Sequence, residues 1–212
     1  MVQPTERMFA LAERGLPVPH RPGQINDQVR GATGPLLVYT DGSVSGVPIA
    51  NGLGWMTGWG YLDTSGRYGC GKMPQFAKAG DDLAVVAELR AVKHAIGERL
   101  ATTACTVITD SAHAARLLAD WRTGSDEMPP GYTGRTTRGV PKLELLRRAV
   151  ATHAANITVE VVKGHAGDVL NEAADTLAQL GMRWGRDALT KPQVRERARG
   201  IAEGFLEQWR RR

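Results

Sequence analysis

Two aspartates come at the ends of short apolar runs that are typical of buried strands. Asp41 follows the run from Leu36 to Tyr39, and Asp110 follows the run that begins at Cys105. If the two strands are neighbours in a sheet, the carboxylates lie close together, and their repulsion raises the pKa of one of them. A bound divalent cation removes that penalty, because hard cations prefer carboxylate oxygens as ligands. The pair therefore indicates a candidate metal site.

Three further side chains have chemistry that suits such a site. Glu88 lies beside the apolar stripe of a helix predicted over residues 82–100, and Asp175 lies in the first turns of a helix predicted to begin at Asn171. His165 lies in a glycine-containing loop, and the ordinary pKa of histidine is close to neutrality, as a proton carrier requires. Taken singly, a glutamate on such a helix is usually solvated, and a loop histidine is usually an exposed bystander.

The predicted elements explain how these residues come together. The predicted strands span residues 36–39, 52–60, 67–73, 105–109 and 157–162. Short connections join the first three strands, which favours an antiparallel meander, and helices separate the others, so we expect a mixed sheet with helices on its faces. Ligands bind beyond the carboxyl ends of strands in such sheets, where Asp41 and Asp110 are placed.

The second predicted strand, residues 52–60, contains four glycines, at positions 52, 54, 58 and 60. Glycine weakens strand packing, and it often marks a bulge or a place where another backbone or a ligand approaches closely. Both interpretations remain open: a bulged edge strand, or a strand that another backbone or a ligand approaches closely.

The composition limits the class of protein. A chain of 212 residues with 42% hydrophobic content suits one domain with extensions. Its apolar runs fall short of the ~20 residues that a membrane span needs, and its first residues lack a signal-peptide pattern. Cys70 and Cys105 match no zinc or redox spacing, and Cys105 is predicted to be a buried thiol. We predict a cytoplasmic protein that does not bind membranes. The sequence does not fix the oligomeric state, and a monomer is favoured.

The positive charge is concentrated in the tail. From Arg183 onward there are nine basic and four acidic residues. Their difference of +5 equals the formal net charge of the whole chain. An amphipathic helix from about Pro192 is predicted there, with Val194, Ile201, Phe205 and Trp209 on its apolar face. This face either packs onto the domain, grips nucleic acid or mediates self-association.

Four blocks of the sequence resemble ribonuclease H of type 1. They are Tyr-Thr-Asp-Gly-Ser at 39–43, Ala-Glu-Leu-Arg-Ala at 87–91, Ile-Thr-Asp-Ser at 108–111, and Val-Lys-Gly-His-Ala-Gly from 162 with Asn-Glu-Ala-Ala-Asp at 171–175. The blocks occur in the order and at the approximate spacing of that family, over a resemblance from about Leu36 to Gly181. The combination is far more specific than any one block.

The resemblance implies a ribonuclease H-like α/β fold. Its mixed sheet would have five strands, the antiparallel three-strand meander first, with helices on both faces. The domain would cover residues 35–184, between a flexible N-terminal leader over residues 1–34 and a basic amphipathic helical extension over residues 185–212.

The resemblance also implies a metal-dependent endonuclease that cuts the RNA strand of RNA–DNA hybrids and leaves 5′-phosphate and 3′-hydroxyl ends. Asp41, Glu88, Asp110 and Asp175 would hold two Mg²⁺ ions, which Mn²⁺ can replace. Asp41 would bridge both cations, and Asp175 would complete the site of the attacking water. Glu88 and Asp110 would hold the second cation beside the leaving oxygen, and His165 would assist protonation or product release.

Candidate substrate contacts lie in the same blocks and in the long loop before the third predicted helix. They are Gly42, Ser43, Ser111, Asn171, Arg135 and Arg138. Asn171 either orients a metal-bound water or caps its helix. The two arginines either grip the DNA backbone or belong to a solvated loop.

The chain departs from the family where the ribose is usually recognised. Ala84, Val85 and Ala112 occupy positions where members commonly have polar side chains that contact the 2′-hydroxyl. Two alternatives to a hybrid-specific nuclease therefore stay open. One is a non-catalytic module that binds hybrids or duplexes, and the other is a related metal nuclease that acts on double-stranded RNA or DNA.

Overall fold

The computed structural model describes residues 23–48, 55–75, 82–132, 140–164, 167–187 and 189–212. The strands are β1 (Gln24–Gln28), β2 (Leu37–Pro48), β3 (Trp55–Asp63), β4 (Arg67–Gln75), β5 (Cys105–Thr109) and β6 (Ile157–Val161). The helices are α1 (Asp82–Ile96), α2 (Ala112–Arg122), α3 (Lys142–Thr152), α4 (Val169–Arg186) and α5 (Lys191–Arg210), and a short 3₁₀ turn covers Ala154–Asn156.

The strands form one mixed sheet in the order β1-β4-β3-β2-β5-β6. The meander β2-β3-β4 is antiparallel, and β5 and β6 run parallel to β2, which confirms the predicted fold class. The prediction of five strands is wrong by one. Strand β1 pairs antiparallel with β4 inside the segment predicted to be a leader, while residues 1–22 lie outside the described part of the chain.

Strand β2 is longer than its apolar run indicated. It continues through Asp41, Gly42 and Ser43, which pair with Gly60, Trp59 and Gly58 of β3, so the predicted end of this strand at Tyr39 is wrong. The parallel pairing of β2 with β5 ends at Tyr39. Asp41 therefore lies within β2, just beyond the point where β5 separates from it. That separation opens the crevice that the site needs.

Helices cover both faces of the sheet and form two cores. Helices α1, α2 and α3 pack on one face, around residues such as Trp121, Leu89 and Leu117. Helices α4 and α5 pack on the other face, around residues such as Leu62, Tyr68 and Leu177. The alternation of strand residues between the two faces is visible at Val38 and Tyr39, which belong to opposite cores.

Glycines in β3 allow α4 to lie directly against the sheet. A β-carbon added to Gly60 would be 2.3 Å from the backbone nitrogen of Ala178, and one added to Gly58 would be 2.1 Å from the carbonyl oxygen of the same residue. Strand β3 lies inside the sheet, so the edge-strand interpretation of its glycines is wrong. The interpretation in which another backbone approaches closely is confirmed.

The tail helix α5 is part of the second core. Val194, Ala198, Ala202 and Leu206 are fully buried. Ile201, Phe205 and Trp209, which were predicted for the apolar face, pack partly buried at its margin. Thr190 begins the helix with a capping box formed with Gln193.

Both cysteines are buried free thiols, and burial raises the pKa of Cys105 to about 11. Each helix in the described ranges is too short or too polar to cross a membrane.

Candidate active site

Strand β2 and helix α1 place two buried acids against each other. Asp41 and Glu88 are 8% and 6% exposed. Between them lies Gly42, where an added β-carbon would be 2.4 Å from the backbone nitrogen of Glu88, so only glycine permits this approach of helix to strand. The Gly42 N–H donates to Asp41 Oδ1 at 2.8 Å. Gly42 thus brings the two carboxyl groups together and also fixes the orientation of one.

Strand β5 supplies the third acid, and a local network orients the chain around it. The Ser111 N–H donates to Thr109 Oγ1 at 3.1 Å, and that hydroxyl lies 3.5 Å from Glu88 Oε2. The Ser111 side chain accepts from the Ala114 N–H at 3.2 Å and caps α2. The strand end and the helix cap therefore fix the backbone on both sides of Asp110.

Helix α4 supplies the fourth acid. Asp168 caps this helix by accepting from the Leu170 and Asn171 N–H groups at 3.0 and 3.2 Å. One turn after Asp175, the Gln179 amide nitrogen donates to both oxygens of the Asp175 carboxylate, at 2.9 and 3.0 Å. The close packing of α4 on β3 brings this helix to the sheet at the level of Asp41, which pairs with Gly60.

The carboxylates converge on one point. Ligand oxygens of Asp41, Glu88 and Asp110 all lie within 4.8 Å of one another. Burial raises the pKa of Asp41 to about 7, and the charges of Asp110 and Asp175 add to this effect. Burial, followed by the charge of Asp41, also raises the pKa of Glu88 well above its ordinary value. Asp175 thus lies close enough to Asp41 to influence its ionisation, although it is outside the group of three.

The donor set fits divalent metal ions. No lysine, arginine or histidine in the described ranges forms an ion pair with any of the four acids. Ionisation of the two buried acids, Asp41 and Glu88, therefore leaves negative charge without a protein counter-charge, which is unfavourable unless a cation binds. Oxygen-only ligands in this number are what Mg²⁺, Mn²⁺ and Ca²⁺ prefer.

The remaining predicted site residues have different outcomes. His165, Arg135 and Arg138 lie outside the described residues. Ser43 is half-buried on β2, opposite Gly58, and Ser111 acts as a helix cap. The structure thus gives Ser111 a structural contact, and its predicted substrate contact stays a prediction.

Asn171 does not cap its helix, because Asp168 is the capping residue and Asn171 lies inside the first turn. Its side chain is buried, and its Oδ1 has no hydrogen-bond partner among the described residues. It lies one turn before Asp175, on the same face of α4. Of the two interpretations left open by the sequence, capping is excluded and the orientation of a water remains.

Sequence reasoning missed Thr109 and Gln179, which position the acids. Gln179 follows Asp175 by four residues, and this spacing on a helix is a signal that could have indicated the contact. Thr109 precedes Asp110 directly, and only the tertiary structure shows that its hydroxyl reaches Glu88.

Three apolar residues occupy the positions where the family commonly has polar side chains that contact the ribose, and they differ in exposure. Val85 is buried in the core beneath α1, whereas Ala84 and Ala112 are exposed. The surface around the acids therefore offers methyl groups at two positions and no side chain at the third.

Comparison with known proteins shows similarity to one family. The family model for RNase H matches residues 34–183. The chain is 36% identical over 151 residues to a ribonuclease H of Dinoroseobacter shibae, covering 69% of this chain and 90% of that protein. It is 31% identical over 147 residues to a ribonuclease H of Rhodospirillum rubrum, covering 68% of this chain and 81% of that protein.

Among solved structures, the solution structure of the PFV RNase H domain matches with a TM-score of 0.48 at 22% identity, covering 71% of this chain and 97% of that domain.

Proposed function

This chain belongs to the ribonuclease H family of enzymes, and we propose that it hydrolyses the RNA strand of RNA–DNA hybrids with two bound Mg²⁺ ions, which Mn²⁺ can replace. The observation that supports this proposal most strongly is the buried cluster of Asp41, Glu88 and Asp110, with Asp175 close to Asp41. A binding module without catalysis would gain nothing from four acids that repel one another.

The four acids divide the work of holding the cations. Asp41 would be shared by both cations, Asp175 would serve the cation beside the attacking water, and Glu88 and Asp110 would serve the cation beside the leaving 3′-oxygen. Two such ions, when bound, supply Lewis-acid chemistry for an in-line displacement at phosphorus. Products with 5′-phosphate and 3′-hydroxyl ends follow from that geometry.

Proton transfer is assigned to His165 as part of the proposal. Its loop begins beside the acids, since a β-carbon added to Gly164 would be 2.7 Å from Asp110 Oδ2. An imidazole in this loop can give a proton to the leaving oxygen, because its ordinary pKa is close to neutrality. Asn171 Oδ1, which has no hydrogen-bond partner within the part of the chain that the structure describes, is suited to orienting the attacking water.

A second candidate function follows from the exposed methyl groups of Ala84 and Ala112. Without polar side chains there, 2′-hydroxyl recognition depends on backbone groups, which contact sugar and phosphate with little sequence information. This favours, as the alternative, a nuclease of the same chemistry that also cuts double-stranded RNA or DNA.

One assay separates these functions. Labelled RNA–DNA hybrid, duplex RNA and duplex DNA are incubated with the protein in Mg²⁺ or in EDTA. We expect cleavage of the hybrid in Mg²⁺, no cleavage in EDTA and little cleavage of duplex DNA. Cleavage of duplex DNA without cleavage of the hybrid would disprove the proposed substrate.

The matched pair of variants for this assay is Asp110→Asn and Asp120→Asn. Asp120 is an exposed aspartate on α2 that pairs with Arg116 at 2.8 Å. Asp120→Asn therefore removes one carboxylate at a place outside the cluster and is the control. We expect Asp110→Asn to abolish cleavage and Asp120→Asn to retain it. Folded but uncleaving protein in all conditions would instead support the non-catalytic binding module.

A further inference from the structure

The connection between β6 and α4 joins two parts of the carboxylate site. It begins beside Asp110, because a β-carbon added to Gly164 would be 2.7 Å from Asp110 Oδ2. It ends at Asp168, whose carboxylate caps the helix that carries Asp175. His165, the proposed proton carrier, belongs to this connection by its sequence position and lies outside the described residues. What holds the connection in place therefore bears on the site.

Gly167 forms the turn directly before the helix cap. Its φ of +82° is in the left-handed region that glycine adopts without strain. A β-carbon added to Gly167 would meet no atom of the described chain within 4 Å, so neighbouring groups do not pack against the turn on that side. The conformation of this turn depends mainly on hydrogen bonds.

Arg212 supplies such a bond from a distant part of the chain. Its Nη1 donates to the carbonyl oxygen of Gly167 at 2.9 Å, across 45 residues of sequence. A hydrogen bond from a guanidinium is charge-assisted and stronger than one between neutral groups. The contact fixes the peptide group between Gly167 and Asp168, and Asp168 is the residue that caps α4.

The backbone of Arg212 is itself anchored at the end of α5. Its N–H donates to the Trp209 carbonyl oxygen at 3.3 Å. Trp209 packs partly buried against the second core, and Leu206 is fully buried within it. Val169 and Leu170, the first residues of α4, belong to the same core. The end of α5 and the beginning of α4 are therefore held by one core.

We propose that Arg212 is a positioning residue, which holds the turn at Gly167 and thereby the connection that presents His165 to the acids. This inference rests on the proposed function. Arg212 lies beyond residues 34–183, the part of the chain that matches the family model. The contact is therefore a restraint that the matched domain does not contain.

Three variants of the full chain test this role. Arg212→Met removes the donor and keeps the approximate length of the side chain, whereas Arg212→Lys keeps a charged donor. Arg210→Met is the matched control, because Arg210 donates from the same turn to the carbonyl oxygen of Arg30. Two backbone hydrogen bonds, of 2.9 and 2.7 Å, already hold the chain on either side of Arg30.

The first measurement is amide hydrogen exchange by NMR, without substrate. The N–H groups of Leu170 and Asn171 donate to Asp168 Oδ1, so a looser turn should weaken their protection. We expect both amides to exchange about two- to tenfold faster in Arg212→Met, the range of a single hydrogen bond. Arg210→Met and Arg212→Lys should exchange like the wild type. Unchanged exchange in Arg212→Met would overturn the inference.

The second measurement is single-turnover cleavage of a labelled RNA–DNA hybrid at several protein and salt concentrations. Arg212→Met should lower the maximal rate about two- to tenfold, and Arg212→Lys should restore it. The protein concentration for half-maximal rate should stay the same, because Arg212 acts on the turn and not on the substrate. In a His165→Ala background, Arg212→Met should change the rate less than about twofold, since the group that it positions is absent.

Two results would contradict this role. A higher half-saturating concentration with a shallower salt dependence would show that Arg212 contacts a substrate phosphate instead. An equal loss of rate in the His165→Ala background would show that Arg212 does not act through His165.

The two proposals can fail separately. A wild-type protein that does not cleave the hybrid disproves the proposed function, while hydrogen exchange still tests the turn. A wild-type protein that cleaves, with the same rate and exchange in Arg212→Met, disproves the role of Arg212 alone.

Discussion

Asp41 is a carboxylate that the fold makes difficult to ionise. Burial is the main reason, and the neighbouring acids add to it, so its pKa is about 7 without metal. Glu88 beside it is shifted in the same direction for the same reasons. Protons therefore compete with metal ions for the same oxygens, and metal binding should release protons.

The first prediction concerns the pH dependence of stability in EDTA. An unfolded chain has the ordinary value of 3.8 for Asp41, so between about pH 4 and pH 7 the folded state binds more protons than the unfolded state. The free energy of unfolding should therefore fall as the pH rises through this range, by up to about 1.4 kcal/mol per pH unit from this group.

Urea denaturation at pH 5, 6, 7 and 8 measures this dependence. Asp41→Asn should make it shallower, whereas Asp120→Asn should leave it unchanged. Saturating Mg²⁺ should stabilise the protein most at the high end of the range. Stability that rises from pH 5 to pH 7 in EDTA would contradict the assignment of these shifts.

The second prediction concerns Gln179, which holds both oxygens of Asp175. Gln179→Leu keeps the approximate size of the side chain and removes the donor, so Asp175 should lose its fixed orientation. Outer partners of metal ligands typically contribute 10–100-fold in metal affinity or activity. We expect the Mg²⁺ concentration for half-maximal activity, and the Mn²⁺ dissociation constant by calorimetry, to rise about tenfold.

Gln208→Leu is the matched control, since Gln208 is exposed on α5. Equal metal affinity in wild type and Gln179→Leu would show that the contact has no positioning role.

At the level of residues, the sequence predicted the acids but not their supports. Asp41 and Asp110 could be found because strand ends in such sheets meet at one edge. The motif blocks added Glu88 and Asp175. The contact from Thr109 to Glu88 depends on how α1 lies on the sheet, and no local pattern contains that information.

Among the elements, α4 packs directly on β3 at two glycines of that strand. The backbone of α4 occupies the space that a side chain at Gly58 or Gly60 of β3 would need. This contact determines the distance between Asp175 on α4 and Asp41 on the neighbouring strand. Stability and site geometry are therefore coupled at the same glycines.

The third prediction is that Gly60→Ala destabilises the protein and weakens activity together. The new methyl group would be 2.3 Å from a backbone nitrogen of α4, so the helix must move away. Overpacking of this kind costs about 1–3 kcal/mol. Gly200→Ala on α5 is the control, because nothing lies within 4 Å of its added methyl group and alanine favours a helix.

Thermal denaturation and the hybrid-cleavage rate measure both effects. We expect Gly200→Ala to be as stable as the wild type or more stable, with normal activity. Full activity and stability in Gly60→Ala would contradict the close packing of α4 on β3.

The sequence predicted the order of elements more reliably than their limits. Strand β1 was missed because only Ile25 of its five residues is buried, so it lacks an alternating apolar pattern. The end of β2 was placed too early because Gly42 and Ser43 are typical of turns, whereas pairing with β3 keeps them in the sheet. Tertiary pairing overrode local preference in both cases.

At the level of the whole molecule, α5 is attached to the rest of the protein through its buried face. Its fully buried residues belong to the same core as α4 and the meander. The sequence predicted an amphipathic helix here, but the fully buried residues Ala202 and Leu206 each lie one position after the predicted Ile201 and Phe205. The face was misplaced because Ala198 and Ala202 are weak hydrophobic signals.

The fourth prediction is that Leu206→Ala destabilises the whole domain. Leu206 is fully buried, and such truncations typically cost 2–5 kcal/mol. Urea denaturation should show one cooperative transition at a lower midpoint, and Gln208→Ala on the same helix should leave the midpoint almost unchanged. A separate early transition for α5 would show instead that the helix is an independent extension.

The proposed function requires the acids of β2, α1, β5 and α4 to act together on one strand of a hybrid. Single-turnover cleavage of a hybrid labelled on either its RNA or its DNA strand tests this most directly, with Asp41→Asn compared with Asp120→Asn. We predict that wild type and Asp120→Asn cut only the RNA strand, and that Asp41→Asn is more than about a hundredfold slower, since even outer partners of metal ligands contribute 10–100-fold. Cleavage of the DNA strand, or an unchanged rate in Asp41→Asn, would contradict the account.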